Sequence, residues 1–278
     1  MNTAELLELA RDAAAAAGEL LLEQGARPEV VATKSSPTDV VTEADRAAEE
    51  LIRERIGAAR PGDRLLGEEG GESIVGRDVP AALSEVRWIV DPLDGTVNYL
   101  YGRPDWAVSI AAEAGGTVVA GVVFVPRRGE MFTATDGGGA WLTLIGQPGA
   151  SAARLACNTD VPLDRALVAT GFGYSAGRRL VQGEVLSHVL PRVRDIRRGG
   201  SAAVDLCSVA SGTVDAYYER GVNLWDIAAG TLIATEAGAE VTGLHGQPPG
   251  PSMTLAAAPR LLRDLHDLLA GTNPEHDA

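Results

Sequence analysis

Cysteine is nearly absent from this sequence, which has only Cys157 and Cys207. Two cysteines are too few for a disulfide framework, and they lack the paired spacing of a zinc site. We therefore expect both to be reduced residues of the core.

Long apolar runs are also missing. No segment reaches the ~18 to 20 consecutive apolar residues of a membrane-spanning helix. The first residues, Met1 to Arg11, lack the basic-then-apolar order of a signal peptide. The expectation is a cytoplasmic protein with no membrane partner.

Basic side chains are scarce relative to acidic ones. The chain has 24 lysines and arginines against 38 aspartates and glutamates, which gives a formal charge of −14. This charge repels a nucleic-acid backbone unless basic residues cluster on one face, so the sequence argues against a nucleic-acid partner. A small anionic substrate meets the same repulsion. A phosphate-binding site here would therefore need metal cations to reverse the local field.

The order of the patterns predicts a mixed α/β protein. The 278 residues, 45% of them hydrophobic, are enough to bury a sizeable core. Residues 1–150 combine helical spacing with antiparallel strand patterns, and residues 151–278 alternate strands with helices. We expect an α+β half over 1–150 that carries the main metal and phosphate motifs. An α/β half over 151–278 would carry substrate-recognition residues and the last metal ligand.

The most informative segment is WIVDPLDGTVN, residues 88–98. A buried strand over Val86–Val90 is predicted to stop at Asp91-Pro92, because proline cannot continue the ladder. Asp91 and Asp94 supply the oxygen ligands that hard divalent cations favour. The backbone N–H groups of Gly95 and Thr96, opening a helix, can hold a phosphate. The alternative is that the segment forms only two consecutive turns.

Other acidic residues have simpler explanations when each is taken alone. Glu68-Glu69 fits a solvated acidic turn. Asp45 forms a capping-box-like pair with Thr42, and Asp226 also fits a carboxylate at the start of a helix.

Taken together, four motifs resemble the inositol monophosphatase family. They are DVVTEAD at 39–45, GEE at 67–69, DPLDGTVN at 91–98 and WDIAAG at 225–230. They occur in the family's order and spacing from about residue 5 to 270. The resemblance implies a layered α-β-α-β-α sandwich, a homodimer, two to three Mg²⁺ ions per active site and sensitivity to lithium.

The resemblance also assigns metal ligands. Glu68, Asp91 and the Leu93 carbonyl would hold the first ion, and Glu68 would also face a weaker third ion. Asp91, Asp94 and Asp226 would hold the second ion.

The remaining implied roles concern catalysis and substrate binding. Thr96, oriented by Asp45, would position or deprotonate the attacking water, with Glu68 as the third catalytic residue. Contacts to the phosphate or the polyol would come from six residues: Asp94, Gly95, Thr96, Ala202, Glu219 and Lys34. Asn223 departs from animal members of the family, which often have histidine there, so sugar specificity stays open.

The implied activity is the hydrolysis of inositol 1-phosphate to myo-inositol and phosphate, with Mg²⁺ and an activated water. Related phosphatases cleave a sugar bisphosphate such as fructose 1,6-bisphosphate, histidinol phosphate or 3′-phosphoadenosine 5′-phosphate, and spacing does not choose among them. The acidic balance and the lack of an aromatic base-stacking platform argue against the nucleotide.

Two functions of other classes stay open. The segment GYSAG at 173–177 matches a nucleophile elbow, with Asp226 and His245 following in the expected order, so Ser175 could serve a serine hydrolase. The basic run over 192–198 could instead serve a non-catalytic partner of the transcription machinery, although a solvated face explains it as well.

Overall fold

The computed structural model describes residues 2–25, 30–33, 40–76, 84–147, 149 and 151–275. Within these residues the chain forms seven α-helices. They are α1 (Thr3–Gln24), α2 (Glu43–Ala59), α3 (Thr96–Leu100), α4 (Ala176–Val189), α5 (Ala202–Ala210), α6 (Leu224–Glu236) and α7 (Pro259–Ala270). Lys34 and the predicted boundary at residue 150 lie outside the described residues.

The strands form one large sheet, one smaller sheet and a two-stranded ribbon in the part of the chain described. The ribbon pairs β1 (Val30–Thr33) with β2 (Val40–Thr42). The eight-stranded sheet has the order β10-β9-β8-β7-β6-β5-β3-β4, and the five-stranded sheet has the order β12-β11-β13-β15-β14. The strands of the large sheet are β3 (Arg64–Gly67), β4 (Gly71–Ile74), β5 (Val86–Asp94), β6 (Ala107–Ala114), β7 (Thr117–Val125), β8 (Glu130–Thr135), β9 (Gly139–Leu144) and β10 (Ala153–Arg154). Those of the small sheet are β11 (Leu167–Thr170), β12 (Asp195–Arg197), β13 (Ala216–Glu219), β14 (Glu240–Thr242) and β15 (Thr254–Ala257).

Alternation of side chains along the strands builds the layers. In β5, Trp88 and Val90 pack towards α1 and α2, while Ile89 packs towards α5 and α6. In β15, Leu255 joins the core against α4 and α7, and Ala256 faces α5 and α6. Successive side chains of a strand point to opposite faces of the sheet, so one strand can pack into two cores. The result is five layers, α-β-α-β-α, so the predicted fold class is confirmed.

The predicted end of β5 at Asp91-Pro92 is wrong, because the strand continues to Asp94. The parallel partner β3 stops at Gly67, which pairs with Val90, so Pro92 has no neighbour on that side. On the other side, the register with β6 shifts between Asp91 and Asp94. Pro92 therefore sits in an irregularity where its missing N–H costs no ladder bond.

Most other predicted elements are present. The final helix, α7, has the predicted limits, and β6, β7 and β8 form the expected antiparallel run. The Asn2 side chain caps α1 by accepting a hydrogen bond from the Ala4 N–H at 3.1 Å. Strands β1, β2, β3, β4, β9, β10, β12 and β14 are not predicted from the sequence. None of the described helices combines the length and apolar character that crossing a membrane requires. The division into two halves stays a prediction.

Candidate active site

An open cleft lies where β5 ends and where α3, α5 and α6 begin. Its lining includes every predicted metal ligand, namely Glu68, Asp91, Leu93, Asp94 and Asp226. Gly95, Thr96, Ala202 and Glu219 line the same cleft. Residues spread over more than 150 positions of the sequence therefore meet at one place.

Asp91 is the centre of the acidic group. It is 2% exposed, and its Oδ1 accepts a hydrogen bond from the Leu93 N–H at 2.9 Å. Glu68 and Asp226 lie within hydrogen-bonding distance of its carboxylate. Burial raises the pKa of Asp91 well above its ordinary value, and the charges of Glu68, Asp94 and Asp226 raise it further. Such a group is stable only if it holds protons or a cation.

Asp94 is held from the second half of the chain. Its Oδ2 accepts hydrogen bonds from the Ser201 hydroxyl at 2.6 Å and from the Ala203 N–H at 2.7 Å. Burial raises the pKa of Asp94 to about 6, while these two donors and the charge of Arg198 oppose the rise. The bonds fix one oxygen, so the carboxylate has a defined direction in the cleft.

Glu68 lies in the turn between β3 and β4. The buried carboxylate of Glu49 binds the backbone of this turn. Glu49 of α2 accepts hydrogen bonds from the Glu69 N–H at 2.8 Å and the Gly70 N–H at 2.9 Å. Arg53 pairs with Glu49 at 2.8 Å and also donates to the Gly71 carbonyl at 3.1 Å. A Cβ at position 67 would lie 2.5 Å from the Glu49 carboxyl group, so this approach requires Gly67.

Asp226 lies in the first turn of α6. Its Oδ2 accepts a hydrogen bond from the Asn223 N–H at 2.6 Å, so one oxygen satisfies the helix start. Burial raises its pKa well above the ordinary value, as do the charges of Asp94 and Glu68. Asp226 thus has both roles that the sequence suggested, a helix-start carboxylate and a member of the acidic group.

Thr96 connects the cleft to Asp45. Its hydroxyl lies 3.2 Å from Asp45 Oδ1 and 3.2 Å from the Leu93 carbonyl oxygen. Asp45 is fully buried in the first turn of α2. The preceding residue, Gly95, has a φ of 92°, which turns the chain sharply from β5 into α3.

The chemistry of these side chains fits divalent cations. Carboxylate and carbonyl oxygens are the ligands that Mg²⁺ takes in proteins, and a cation would relieve the mutual repulsion that raises the pKa of Asp91. Among the described residues, no three histidine, cysteine, aspartate or glutamate side chains surround a common point as metal ligands do. The fit therefore rests on composition and charge.

Glu219 ends β13 at the far side of the cleft. Its Oε2 accepts a hydrogen bond from the Tyr217 hydroxyl at 3.0 Å. Burial raises the pKa of Glu219 to about 7, against the lowering effects of Tyr217 and Arg198. Ala202, the first residue of α5, lines the cleft beside it.

Sequence reasoning missed several cleft residues. Arg178 and Arg198 line the cleft. Arg178 belongs to no predicted feature, and Arg198 ends the basic run over 192–198, which the sequence did not connect with the site. Asn98 ends the motif at 91–98 and has no predicted role, yet its Nδ2 donates to the Gly199 carbonyl at 2.9 Å and so connects α3 to the loop before α5. Ser201 is not among the predicted site residues, although it holds Asp94. An arginine count along 192–198 could have suggested Arg198, whereas the other partners depend on tertiary contacts.

Ser175, the residue of the rival hydrolase hypothesis, is a helix cap. Its hydroxyl accepts a hydrogen bond from the Arg178 N–H at 3.2 Å at the start of α4. His245 packs instead against His266, to which it donates a backbone hydrogen bond at 3.1 Å. No histidine lines the cleft within the described residues. The arrangement required of a Ser-His-Asp triad is therefore not formed there.

Known proteins with similar sequences indicate the family of this chain. The model of the inositol monophosphatase family matches residues 2–278. An inositol-1-monophosphatase SuhB of Mycobacterium tuberculosis is 49% identical over 237 residues, covering 84% of this chain and 79% of the relative. A Nus factor SuhB of Pasteurella multocida is 38% identical over 267 residues, 94% of each chain.

Solved structures match over nearly the whole chain. Mycobacterium tuberculosis SuhB has a TM-score of 0.81 at 41% identity and covers 99% of both chains. An IMPase of Thermotoga maritima has a TM-score of 0.82 at 28% identity, covering 96% of this chain and 98% of the other.

Fold and sequence together define the class of this protein. The chain belongs to the inositol monophosphatase family. It is a phosphoric monoester hydrolase.

Proposed function

We propose that the cleft hydrolyses a small phosphorylated polyol with Mg²⁺, and that inositol 1-phosphate is the first substrate to test. The observation that carries the proposal is the group formed by Asp91 with Glu68, Asp94 and Asp226 in one cleft. Four carboxylates repel a phosphate unless cations neutralise them, so the site and its substrate are compatible only with metal.

The proposed ligands are those that the family resemblance implies, and all of them line the cleft. Glu68, Asp91 and the Leu93 carbonyl would hold one Mg²⁺, and Asp91, Asp94 and Asp226 a second, with Glu68 facing a third. When bound, Mg²⁺ supplies the positive charge that stabilises the developing negative charge and lowers the pKa of water.

Thr96 and Asp45 would orient the attacking water. A hydroxyl that donates its proton to the Asp45 carboxylate keeps its lone pairs as acceptors. Thr96 can then accept a hydrogen bond from the water. This orients the water so that a lone pair of its oxygen points at phosphorus. The backbone N–H groups of Gly95 and Thr96 would bind phosphate oxygens.

Polyol recognition would fall to the opposite side of the cleft. Glu219, whose Oε2 is fixed by Tyr217, can accept a hydrogen bond from a substrate hydroxyl. The small side chain of Ala202 leaves room for the ring, and Asp94 contributes its free oxygen. Lys34 stays a predicted contact. Asn223, near Asp226, is the position at which specificity could differ from that of animal relatives.

The test is phosphate release from inositol 1-phosphate, fructose 1,6-bisphosphate, histidinol phosphate and 3′-phosphoadenosine 5′-phosphate. Each is measured with Mg²⁺, with a chelator and with lithium. We expect Mg²⁺-dependent, lithium-inhibited release, fastest from the inositol ester. No release from folded protein with Mg²⁺ would contradict the proposal. A homodimer in light scattering and a cytoplasmic location after cell fractionation are further expectations.

A role with the transcription machinery is a second candidate, because one relative that is 38% identical carries the name Nus factor. Asp94→Asn separates the two functions. A phosphatase role is lost in this variant, whereas a scaffold role survives, as measured by co-purification with RNA polymerase.

A further inference from the structure

Two loops on the Glu219 side of the cleft leave neighbouring strands of the small sheet. Strands β11 and β13 run parallel, and their pairing ends at Thr170 and Tyr218. The loop after β11 contains Gly173, the loop after β13 contains Arg220, and both residues line the cleft. Since the two backbones stop pairing at the sheet edge, other contacts must set the separation of the loops.

Gln182 of α4 bridges the two loops with its side-chain amide. Its Oε1 accepts a hydrogen bond from the Gly173 N–H at 2.9 Å, and its Nε2 donates to the Arg220 carbonyl at 3.5 Å. A carboxamide offers an acceptor and donors, as a peptide group does. The amide of Gln182 therefore continues the link between the two chains beyond the last paired residues of the strands.

The bridge is buried behind the cleft wall. Gln182 is 8% exposed, and it lines a small cavity that shares Phe172 and Arg220 with the cleft. Water competes little for hydrogen bonds at such a position. Removing the amide would leave the Gly173 N–H without its buried partner, which costs more than losing a bond on the surface. Gln182 should therefore have a strong influence on the position of the loops.

Other residues in the first two turns of α4 contact the same loops. Arg179 Nε donates to the Gly173 carbonyl at 2.6 Å. A Cβ at position 173 would lie 2.9 Å from Arg178 Cδ, and a Cβ at Gly221 would lie 2.7 Å from Arg178 Nη1. The Arg178 side chain therefore passes beside both glycines. Arg178 and Gln182 are four residues apart, so one face of the helix contacts both loops.

The joined loops surround the carboxylate of Glu219. A Cβ at position 171 would overlap Glu219 Oε1, so Gly171 allows the first loop to approach this carboxylate. Arg220, whose carbonyl accepts from Gln182, directly follows Glu219 in the chain. A change in the separation of the loops would therefore move the Glu219 carboxylate in the cleft.

We propose that Gln182 is a positioning residue for polyol recognition, which holds the loops after β11 and β13 at the separation that directs Glu219 towards the substrate. The inference rests on the proposed function, in which Glu219 accepts a hydrogen bond from a substrate hydroxyl. The acidic group has separate support, because Asp91 and Asp94 belong to β5 and because α6, which carries Asp226, packs on the large sheet. The bridge therefore serves the polyol contact more than the metal site.

The test compares a substrate with polyol hydroxyls and one without them. Hydrolysis of inositol 1-phosphate and of p-nitrophenyl phosphate is measured for the wild type and Gln182→Met. Methionine keeps an unbranched side chain of similar length but lacks the amide. Val185→Ala is the matched control, because Val185 lies three residues further along α4, is 4% exposed and packs into the apolar core. It weakens the packing of the helix without removing a hydrogen bond to either loop.

We expect Gln182→Met to raise KM for inositol 1-phosphate about tenfold, as for the loss of one buried hydrogen bond. Its kcat for this substrate, and both constants for p-nitrophenyl phosphate, should stay within about threefold of wild type. Val185→Ala should keep the wild-type constants although it unfolds at a lower temperature. In a Glu219→Ala background, Gln182→Met should change KM for inositol 1-phosphate no further, because the group that it positions is gone.

Circular dichroism establishes that each variant is folded. If Gln182→Met is not, Gln182→Glu replaces it, since a carboxylate keeps the acceptor for the Gly173 N–H and loses the donor to Arg220. The same selective rise in KM for inositol 1-phosphate is expected for that variant.

Several outcomes would overturn the positioning role. One is an equal loss of kcat/KM for both substrates, which would mean that Gln182 supports the whole site. Another is an unchanged KM for inositol 1-phosphate in a folded variant. If wild type hydrolyses p-nitrophenyl phosphate but not inositol 1-phosphate, the proposed substrate fails, and a crystal structure of Gln182→Met decides the bridge separately. Unchanged positions of Gly173, Arg220 and the Glu219 carboxylate would then refute it, whereas a displaced carboxylate would support it.

Discussion

Two carboxylates of the cleft, Asp94 and Glu68, are supported in different ways. Asp94 is held directly, by two hydrogen bonds from Ser201 and Ala203 at the start of α5. The turn that carries Glu68 is held indirectly, because Glu49 binds the neighbouring backbone. Direct support fixes one side chain, whereas indirect support fixes a backbone turn. We therefore expect the support of Asp94 to affect catalysis more than stability, and the support of the Glu68 turn to affect both.

Asp94→Asn should have the largest effect on activity. The amide oxygen can still accept from Ser201 and Ala203, but the negative charge for metal is lost. We expect phosphate release to fall by more than the roughly hundredfold that follows loss of an outer partner. Thermal unfolding should change little. Activity within tenfold of wild type would remove Asp94 from the metal site.

Glu49→Gln should weaken both the turn and the fold. The Glu49–Arg53 pair is almost buried, with side-chain exposures of 4% and 15%. Breaking such a pair costs about 3 kcal/mol, measured by urea unfolding. The Glu68 turn should loosen, with a roughly tenfold weaker affinity for Mn²⁺ in paramagnetic resonance titration. Destabilisation with unchanged Mn²⁺ affinity would mean that Glu49 supports the fold alone.

Ser201→Ala has a built-in control in Ser175→Ala. Both serines cap a helix by accepting a backbone N–H at 3.2 Å, so each variant should lose about 1 kcal/mol of stability. Only Ser201 also donates to Asp94. Activity on inositol 1-phosphate should fall about tenfold in Ser201→Ala alone. A larger loss in Ser175→Ala would revive the serine hydrolase hypothesis.

Glu219→Gln should produce the smallest change, a flatter dependence of stability on pH. Burial raises the pKa of Glu219 to about 7, above its ordinary value of 4.5. Between these values the native state binds more protons than the unfolded state, so the free energy of unfolding falls as pH rises. Denaturant unfolding from pH 4 to 8 should reveal a shallower decline for the glutamine variant. Identical slopes would mean that Glu219 is solvated and that burial does not raise its pKa.

Elements with strong local signals were predictable from the sequence. Helix α7 begins at Pro259, which suits the first turn, and its leucines recur at helical spacing to Ala270. Strand β5 was predicted too short, because a local rule about Pro92 ignored its neighbours. Whether a missing N–H matters depends on the partner strand, which the local sequence does not specify.

The site residues also divide into those with a local signal in the sequence and those without one. Asp91 and Asp94 stand out because two carboxylates follow a buried apolar run. Glu68, Asp45 and Asp226 were recognisable only as a set, through the family resemblance. The residues behind them, Glu49 and Ser201, act across 20 and 107 positions of sequence. No periodicity encodes such a contact.

The link between Asp94 and α5 has a consequence for synthesis of the chain on the ribosome. Ser201 and Ala203 follow Asp94 by 107 and 109 positions, and Asp226 comes later still. When the residues of the large sheet have emerged from the ribosome, the nascent chain still lacks the donors that direct Asp94. Translation must deliver α5 and α6 before the acidic group is complete, so catalysis starts only when nearly the whole polypeptide has emerged.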